Sequence, residues 1–350
     1  MRTPPTPSAR SGAKTVGRLI AAALLLATNA ATADRGPHLP YPSFAPDLRI
    51  APRDTALANA RAARARELAE DMAVGGARQS YRPRPAIWRI GNRRAAIYLF
   101  GTIHVLPPGF QWRTPLLEAI ARRSRGLIVE SAGDDDDAAR LIDQAPVGHA
   151  LPPLAERVSP DHRAALRHFV AGLPPDAATL LDGLPTWVAA VAIGYTRDVR
   201  AGDVPGPGAD DWLTEQFRAA KKPVIGIDRT RDVLRAVDAV PEAEQRRLLD
   251  AALDAPDRTA AQRHAPLDAW ARGDVTPDSA LARELNAIRA TPAFAKPLMI
   301  DRNRAWATEL KRRLRRPGTY LFAAGIGHFI GTGSVIEHLR ASGVRVVRVE

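Results

Sequence analysis

Tyr-Leu-Phe-Gly-Thr-Ile-His (98–104) and Tyr-Leu-Phe-Ala-Ala-Gly-Ile-Gly-His (320–328) are near copies placed at opposite ends of the chain. Each is a short apolar run, rich in aromatic and branched residues, that closes on Gly-x-x-His. That pattern reads as a buried strand followed by a turn. Glycine at the turn lets the backbone bend sharply or approach a ligand closely. His104 and His328 are therefore expected on one rim of a single sheet, as half of a site.

The strands predicted around these two runs cluster at the ends of the sequence. Residues 86–90 and 95–101 read as a hairpin turning at Gly91-Asn92. A helix over 114–123 leads to a strand over 126–130. At the other end come a strand over 320–324, a helix over 334–341 and a strand over 344–349. Between them the pattern is mostly helical, from about 150 to 315, with a buried helix over 186–193, an amphipathic helix over 210–220 and a short strand over 223–227. The expected fold is α/β: a small mixed central sheet built from N- and C-terminal strands, with a large helical insertion. The acidic run 134–137 reads as a carboxylate-rich helix start.

Residues 1–33 have the form of an export signal. Arg2, Arg10, Lys14 and Arg18 precede the apolar stretch 19–27, and Ala31-Thr32-Ala33 offers a cleavage site. Cleavage would leave a chain with no segment long and apolar enough to span a bilayer, and the expected location is periplasmic or secreted. Residues 34–83 are Pro- and Ala-rich and read as a flexible arm, leaving 84–350 as the folded unit. Cysteine is absent, which excludes disulfides, a thiol nucleophile and cysteine metal ligands. The formal net charge of +12 comes from scattered arginines without interleaved aromatics. Nucleic acid is not the expected partner, while weak attraction to an anionic membrane or envelope polymer stays open.

Of the eight histidines, only His104 and His328 end strands. Glu130 closes Leu-Ile-Val-Glu (127–130) and belongs at a strand terminus too. Ligands of open α/β sheets collect beyond the carboxyl ends of the strands. Two imidazoles and a carboxylate there suit a divalent cation with positions left for water.

Together with Asp-Arg-Asn (301–303) before a long helix and Gly-Ile-Gly-His-Phe-Ile-Gly (325–331), these motifs resemble the TraB/GumN family, which includes the TIKI-type metalloproteases. The resemblance spans roughly residues 84–350. It implies a fold similar to erythromycin esterases and the haem-binding ChaN proteins. In the TIKI branch it implies peptide hydrolysis with a divalent metal such as Mn, Co or Zn. Carried over residue by residue, it reaches Gly101, His104, Glu130, Arg302, Asn303, Gly325 and His328, with Asp210 in Gly-Ala-Asp (208–210). Where many relatives carry Leu-Glu after the mid-chain strand, this chain has Ile227-Asp228.

The expected roles are His104, His328 and Glu130 at the metal, with Glu130 as ligand or base. Arg302 and Asn303 are assigned to catalysis, and Gly101, Asp210 and Gly325 to the substrate. Arg302 reads equally as a structural partner of Glu130 or Asp210, and Asn303 also reads as a helix cap. The leading function is an exported metal-dependent hydrolase acting on a peptide or small-molecule substrate. Non-catalytic binding of haem or an anionic ligand, and an envelope assembly role, are the alternatives.

Overall fold

The computed structural model describes residues 79–132, 151–203 and 206–350. The expected signal segment, the arm up to residue 78 and the acidic run 134–137 lie outside the described residues. Residues 79–83, the end of the expected arm, are held against the domain. Gln79 Nε2 donates to the carbonyl of Gln111 at 2.9 Å, the Tyr81 hydroxyl donates to Asp268, and the Arg272 guanidinium lies 4.3 Å over the Tyr81 ring.

The described residues form eight strands: β1 (Ile87–Gly91), β2 (Ala95–Thr102), β3 (Val105–Leu106), β4 (Gly126–Ser131), β5 (Gly206–Pro207), β6 (Val224–Asp228), β7 (Gly318–Gly325) and β8 (Val347–Arg348). Six form a mixed sheet in the order β6-β4-β7-β2-β1-β8, while β3 and β5 pair separately. β6, β4, β7 and β2 are mutually parallel, β1 runs antiparallel to β2, and β8 pairs antiparallel to β1 and so runs with the other four. The apolar run at the start of β4 is buried throughout, as expected for a parallel strand covered on both faces. The C-terminal strand is shorter than the expected 344–349. Only two residues pair at this edge, because Val344 and Val346 pack onto the core instead.

The two near-identical runs lie side by side as β2 and β7, but slipped by one residue: Leu99 pairs with Phe322, and Phe100 with Ala323. A one-residue slip reverses which face a side chain occupies. Phe100 accordingly stacks on Trp112 and Trp270 on one face, and Phe322 meets Trp306 and Phe329 on the other. One repeated phrase thus supplies aromatic cores to both sides of the sheet.

The expected insertion is helical but interrupted by β5 and β6. Its helices between Leu154 and Arg200, with Leu249 from a later helix, bury a separate apolar cluster around Leu166, Phe169, Leu181 and Ile193. Among the described residues, no helix is long and apolar enough to cross a membrane.

Candidate active site

Because β2, β4, β6 and β7 are parallel, their carboxyl ends share one rim. β2 leads to His104, β4 carries Glu130, β6 ends on Asp228, and β7 ends on Gly325 and turns into His328. The sequence expectation of a shared rim holds, and Asp228 joins it.

His104 is fixed from behind by the chain that follows and by the helix Ala209–Ala219. Val105 pairs with Pro207, and the Ala209 N–H donates to Ile103 O at 2.9 Å. A Cβ on Gly208 would lie 2.3 Å from His104 O, so only glycine allows this approach. The result brings Asp210 Oδ2 to 3.1 Å from His104 Nδ1. That hydrogen bond, working against partial desolvation and aided by the charges of Asp210 and Glu130, pushes the His104 pKa up to about 9. The ring is an imidazolium at neutral pH, with 60% of its side chain exposed. Asp210 Oδ1 is buried without a hydrogen-bond partner among the described residues.

Glu130 sits at the centre. Oε1 accepts the Gly325 N–H at 2.7 Å, and Oε2 accepts Arg302 Nη2 at 2.6 Å. Burial alone would raise its pKa. The neighbouring His328, Arg302 and His104, with the Gly325 N–H, overcome that and hold it at about 2. Since His328 is neutral at pH 7, Arg302 and His104 supply the holding charge there. Arg302 also donates from Nε to Asp228 Oδ2 at 2.8 Å and from Nη1 to Leu298 O at 2.9 Å. It therefore pairs with Glu130, one of its two expected acids, while its second acid is Asp228 rather than Asp210. The shorter Asp228 side chain reaches because the guanidinium comes to it.

His328 is the opposite of His104. It is nearly buried, packed 4.4 Å from the Trp306 ring. Asn303 Nδ2 donates to Gly333 O at 2.8 Å, which turns the amide oxygen toward His328 Nδ1 at 2.6 Å. Nδ1 therefore carries the proton and Nε2 keeps its lone pair. Burial, then the positive charges of Arg302, His104 and Arg289, push the His328 pKa down to about 4 against the pull of Glu130. Asn303 is 2% exposed and inside the helix Asp301–Arg313, so it holds His328 rather than capping a helix end.

The three groups converge above Gly325. A Cβ there would lie 3.3 Å from Glu130 Oε1, 3.3 Å from His104 Nε2 and 3.8 Å from His328 Cδ2. His104 Nε2 stands 3.9 Å from Glu130 Oε1, and His328 Nε2 3.7 Å from Oε2. Gly101 plays a different part. A Cβ there would strike Ile326 at 2.2 Å, and its carbonyl accepts the Trp270 indole N–H at 2.8 Å. It lets β2 pack under the turn after β7.

As the side chains lie, no three His, Asp or Glu residues among those described stand close enough to hold a metal ion. The donors nevertheless fit one in kind. Both imidazoles have Nδ1 engaged and Nε2 toward the same carboxylate, the usual outer-shell arrangement of metal-binding histidine. The space above Gly325 would be filled by a single Cβ, and Asp210 Oδ1 lacks a partner among the described residues. His104, mostly exposed, is the donor with freedom to close.

Asp228, Trp306 and Arg289 were not singled out as site residues by sequence. Arg302-x-x-x-Trp306 is an i, i+4 spacing that stacks the guanidinium 4.6 Å over the indole. Arg289 donates to the carbonyl of Gly327 at 2.8 Å and carried no local signal. The model of the TraB/PrgY/gumN family matches residues 86–348. No curated protein and no solved structure matches the chain.

Proposed function

Given that the chain belongs to the TraB/PrgY/gumN family, we propose that it is an exported, metal-dependent hydrolase acting on a peptide bond, similar to the TIKI-type enzymes. The likeness to erythromycin esterases and ChaN proteins is part of the same proposal. One observation carries it. Two imidazoles, each pinned at Nδ1, turn Nε2 toward one carboxylate above a glycine.

His104 Nε2, after giving up the proton it carries in the metal-free site, would hold the cation with His328 Nε2 and Glu130, and Mn, Co or Zn is compatible with two nitrogens and a carboxylate. A bound divalent cation supplies Lewis-acid polarisation of a carbonyl and a lowered pKa for water. The protein's own groups do the rest. Asp210 and Asn303 orient the rings. Glu130, held at about 2, is too weak a base to take a proton at neutral pH and acts as an anionic anchor. Arg302 uses three of its five N–H donors within the protein, leaving two to meet negative charge developing on a scissile carbonyl. The charged, polar surroundings of Glu130 and Arg302 suit hydrolysis better than the apolar walls that haem requires.

The test is metal content of the full chain after loading with Mn, Co or Zn, measured beside hydrolysis of a mixed peptide library. About one metal per chain is expected, with binding and turnover lost in His104→Ala and His328→Ala. Failure to bind any of the three metals, or turnover that survives both substitutions, sinks the reading.

A further inference from the structure

The rim opposite the site has a composition that the proposed hydrolysis does not use. Every parallel strand is entered through a basic segment: Asn-Arg-Arg (92–94) before β2, Arg-Arg-Ser-Arg (122–125) before β4, Lys-Lys (221–222) before β6, and Lys-Arg-Arg-Leu-Arg-Arg (311–316) before β7. Arg345 stands just before β8, which runs the same way. None of these segments contains a carboxylate, and nearly all their basic residues are exposed. Glu309 already pairs with Arg312 and Arg313, and Glu118 with Arg122.

The segments form one continuous surface. Gly318 N–H donates to Arg94 O, Arg125 N–H to Thr319 O, and Leu127 N–H to Pro223 O. Asn92 Nδ2 donates to Leu314 O, and Lys222 Nζ to Arg122 O. A concavity of about 500 Å³ opens on the same rim, lined by Arg89, Asn92, Arg93, Arg345 and Val347. Basic residues in the last turn of a helix are favoured by the helix dipole, which accounts for Arg122, Arg123 and 311–313. It does not account for Arg93, Arg94, Lys221, Arg315, Arg316 or Arg345, which lie outside helices and strands and form no ion pair among the described residues.

We infer that this basic rim is a docking face for an anionic phospholipid bilayer. Its width favours a surface over a single anion: six strands at roughly 4.8 Å spacing extend about 24 Å. The segments contain no aromatic side chain on which bases could stack, which disfavours single-stranded nucleic acid. The polarity of the molecule also sets its orientation. Glu130, Asp210 and Asp228 at the far rim are paired with Arg302 and His104, so the uncompensated positive charge, and the attraction to an anionic surface, is concentrated at the basic end. Eight-residue β2 separates the rims by about 26 Å at roughly 3.3 Å per residue, so a docked molecule holds its site away from the lipid.

The experiment is co-sedimentation of the full chain with vesicles of phosphatidylcholine, with and without phosphatidylglycerol, at low and high salt. Binding is expected only to the anionic vesicles and is expected to fall at high salt. Arg315→Glu/Arg316→Glu should weaken it by about 25-fold or more, at roughly fivefold per basic residue lost. Arg163→Glu/Arg167→Glu, the same charge change on the helical insertion, should bind nearly as the parent does. Arg93→Gln/Arg94→Gln replaces the first pair if that variant fails to fold. Equal binding to neutral vesicles, equal loss from both charge reversals, or binding to duplex DNA without binding to vesicles would each overturn the inference.

Discussion

The glycines of the two Gly-x-x-His motifs should respond to the same substitution in opposite ways. Gly325 has φ −49° and ψ 134°, a conformation open to any residue, so alanine costs no backbone strain. Its methyl would meet Glu130 Oε1 and His104 Nε2 at 3.3 Å, a tight contact that the mostly exposed His104 can relieve. The unfolded-state entropy gain of Gly→Ala, about 0.4–1 kcal/mol, roughly offsets that contact. Stability should change by less than about 1 kcal/mol. The methyl nevertheless occupies the space between the three groups, so turnover and metal affinity should fall about a hundredfold or more, the loss expected from about 1 Å of misplacement. In Gly101→Ala the methyl lands 2.2 Å from Ile326 Cδ1 and 2.9 Å from Ile326 Cα. Backbone cannot yield cheaply, and overpacking of this kind costs about 1–3 kcal/mol or more. At roughly 2–4 °C per kcal/mol for a domain of this size, Tm should drop by about 2–12 °C. Thermal melts and a peptidase assay on both variants decide the matter. A Gly325→Ala protein with parental turnover would refute the reasoning that the chemistry occurs above that glycine.

Three other outcomes follow from the same geometry. Asn303→Leu leaves His328 Nδ1 and Gly333 O without partners and should cost about 2–4 kcal/mol, measured by urea unfolding, with His328 free to change tautomer in ¹⁵N NMR. Arg302→Met removes the guanidinium paired with both Glu130 and Asp228, leaving two largely buried carboxylates with only His104 as a positive charge near Glu130. It should destabilise by about 3–5 kcal/mol, and Arg302→Lys should not restore turnover, since one ammonium cannot reproduce a fork that spans two acids. The pH profile of stability carries opposite signs from the two histidines. His104, raised from 6.5 to about 9, contributes stability that is complete below about pH 6.5 and lost as pH rises through 9, and Asp210→Asn should remove that limb. His328, lowered to about 4, binds fewer protons folded than unfolded, so stability falls as pH drops from 6.5 through 4. Glu130, lowered to about 2, adds a loss in the same direction between about 4.5 and 2. Histidine NMR titrations that gave the two rings the same pKa would contradict this account.

Much of the site was legible because strand ends are marked locally. Leu-Ile-Val-Glu places a carboxylate after a buried run, and Gly-x-x-His places an imidazole after another. Gly-Ala-Asp (208–210) was legible as a motif, but its purpose was not: Gly208 is there so that Asp210 can reach His104. Arg302 and Asn303 were visible as candidates, whereas their jobs were set by neighbours distant in sequence. Asn303 sits inside its helix, and only the carbonyl of Gly333 tells its amide which way to face. Arg302 bridges strands whose adjacency no local pattern encodes. Asp228 departs from the family pattern, and the guanidinium between it and Glu130 accounts for its place at the rim.

The sequence by itself determined that two like strands would end in histidines and that a carboxylate would join them, because apolar runs, glycines and polar stops are read residue by residue. Tertiary structure decided what the two histidines are. Side-by-side pairing with a one-residue slip sends Phe100 and Phe322 to opposite faces. The helix after Gly208 sets Asp210 beside one exposed imidazole, and the helix Asp301–Arg313 buries the other between Trp306 and Asn303. Charge state follows solvation and nearby charge rather than local sequence, so near-identical phrases yield an imidazolium and a neutral ring around one glutamate.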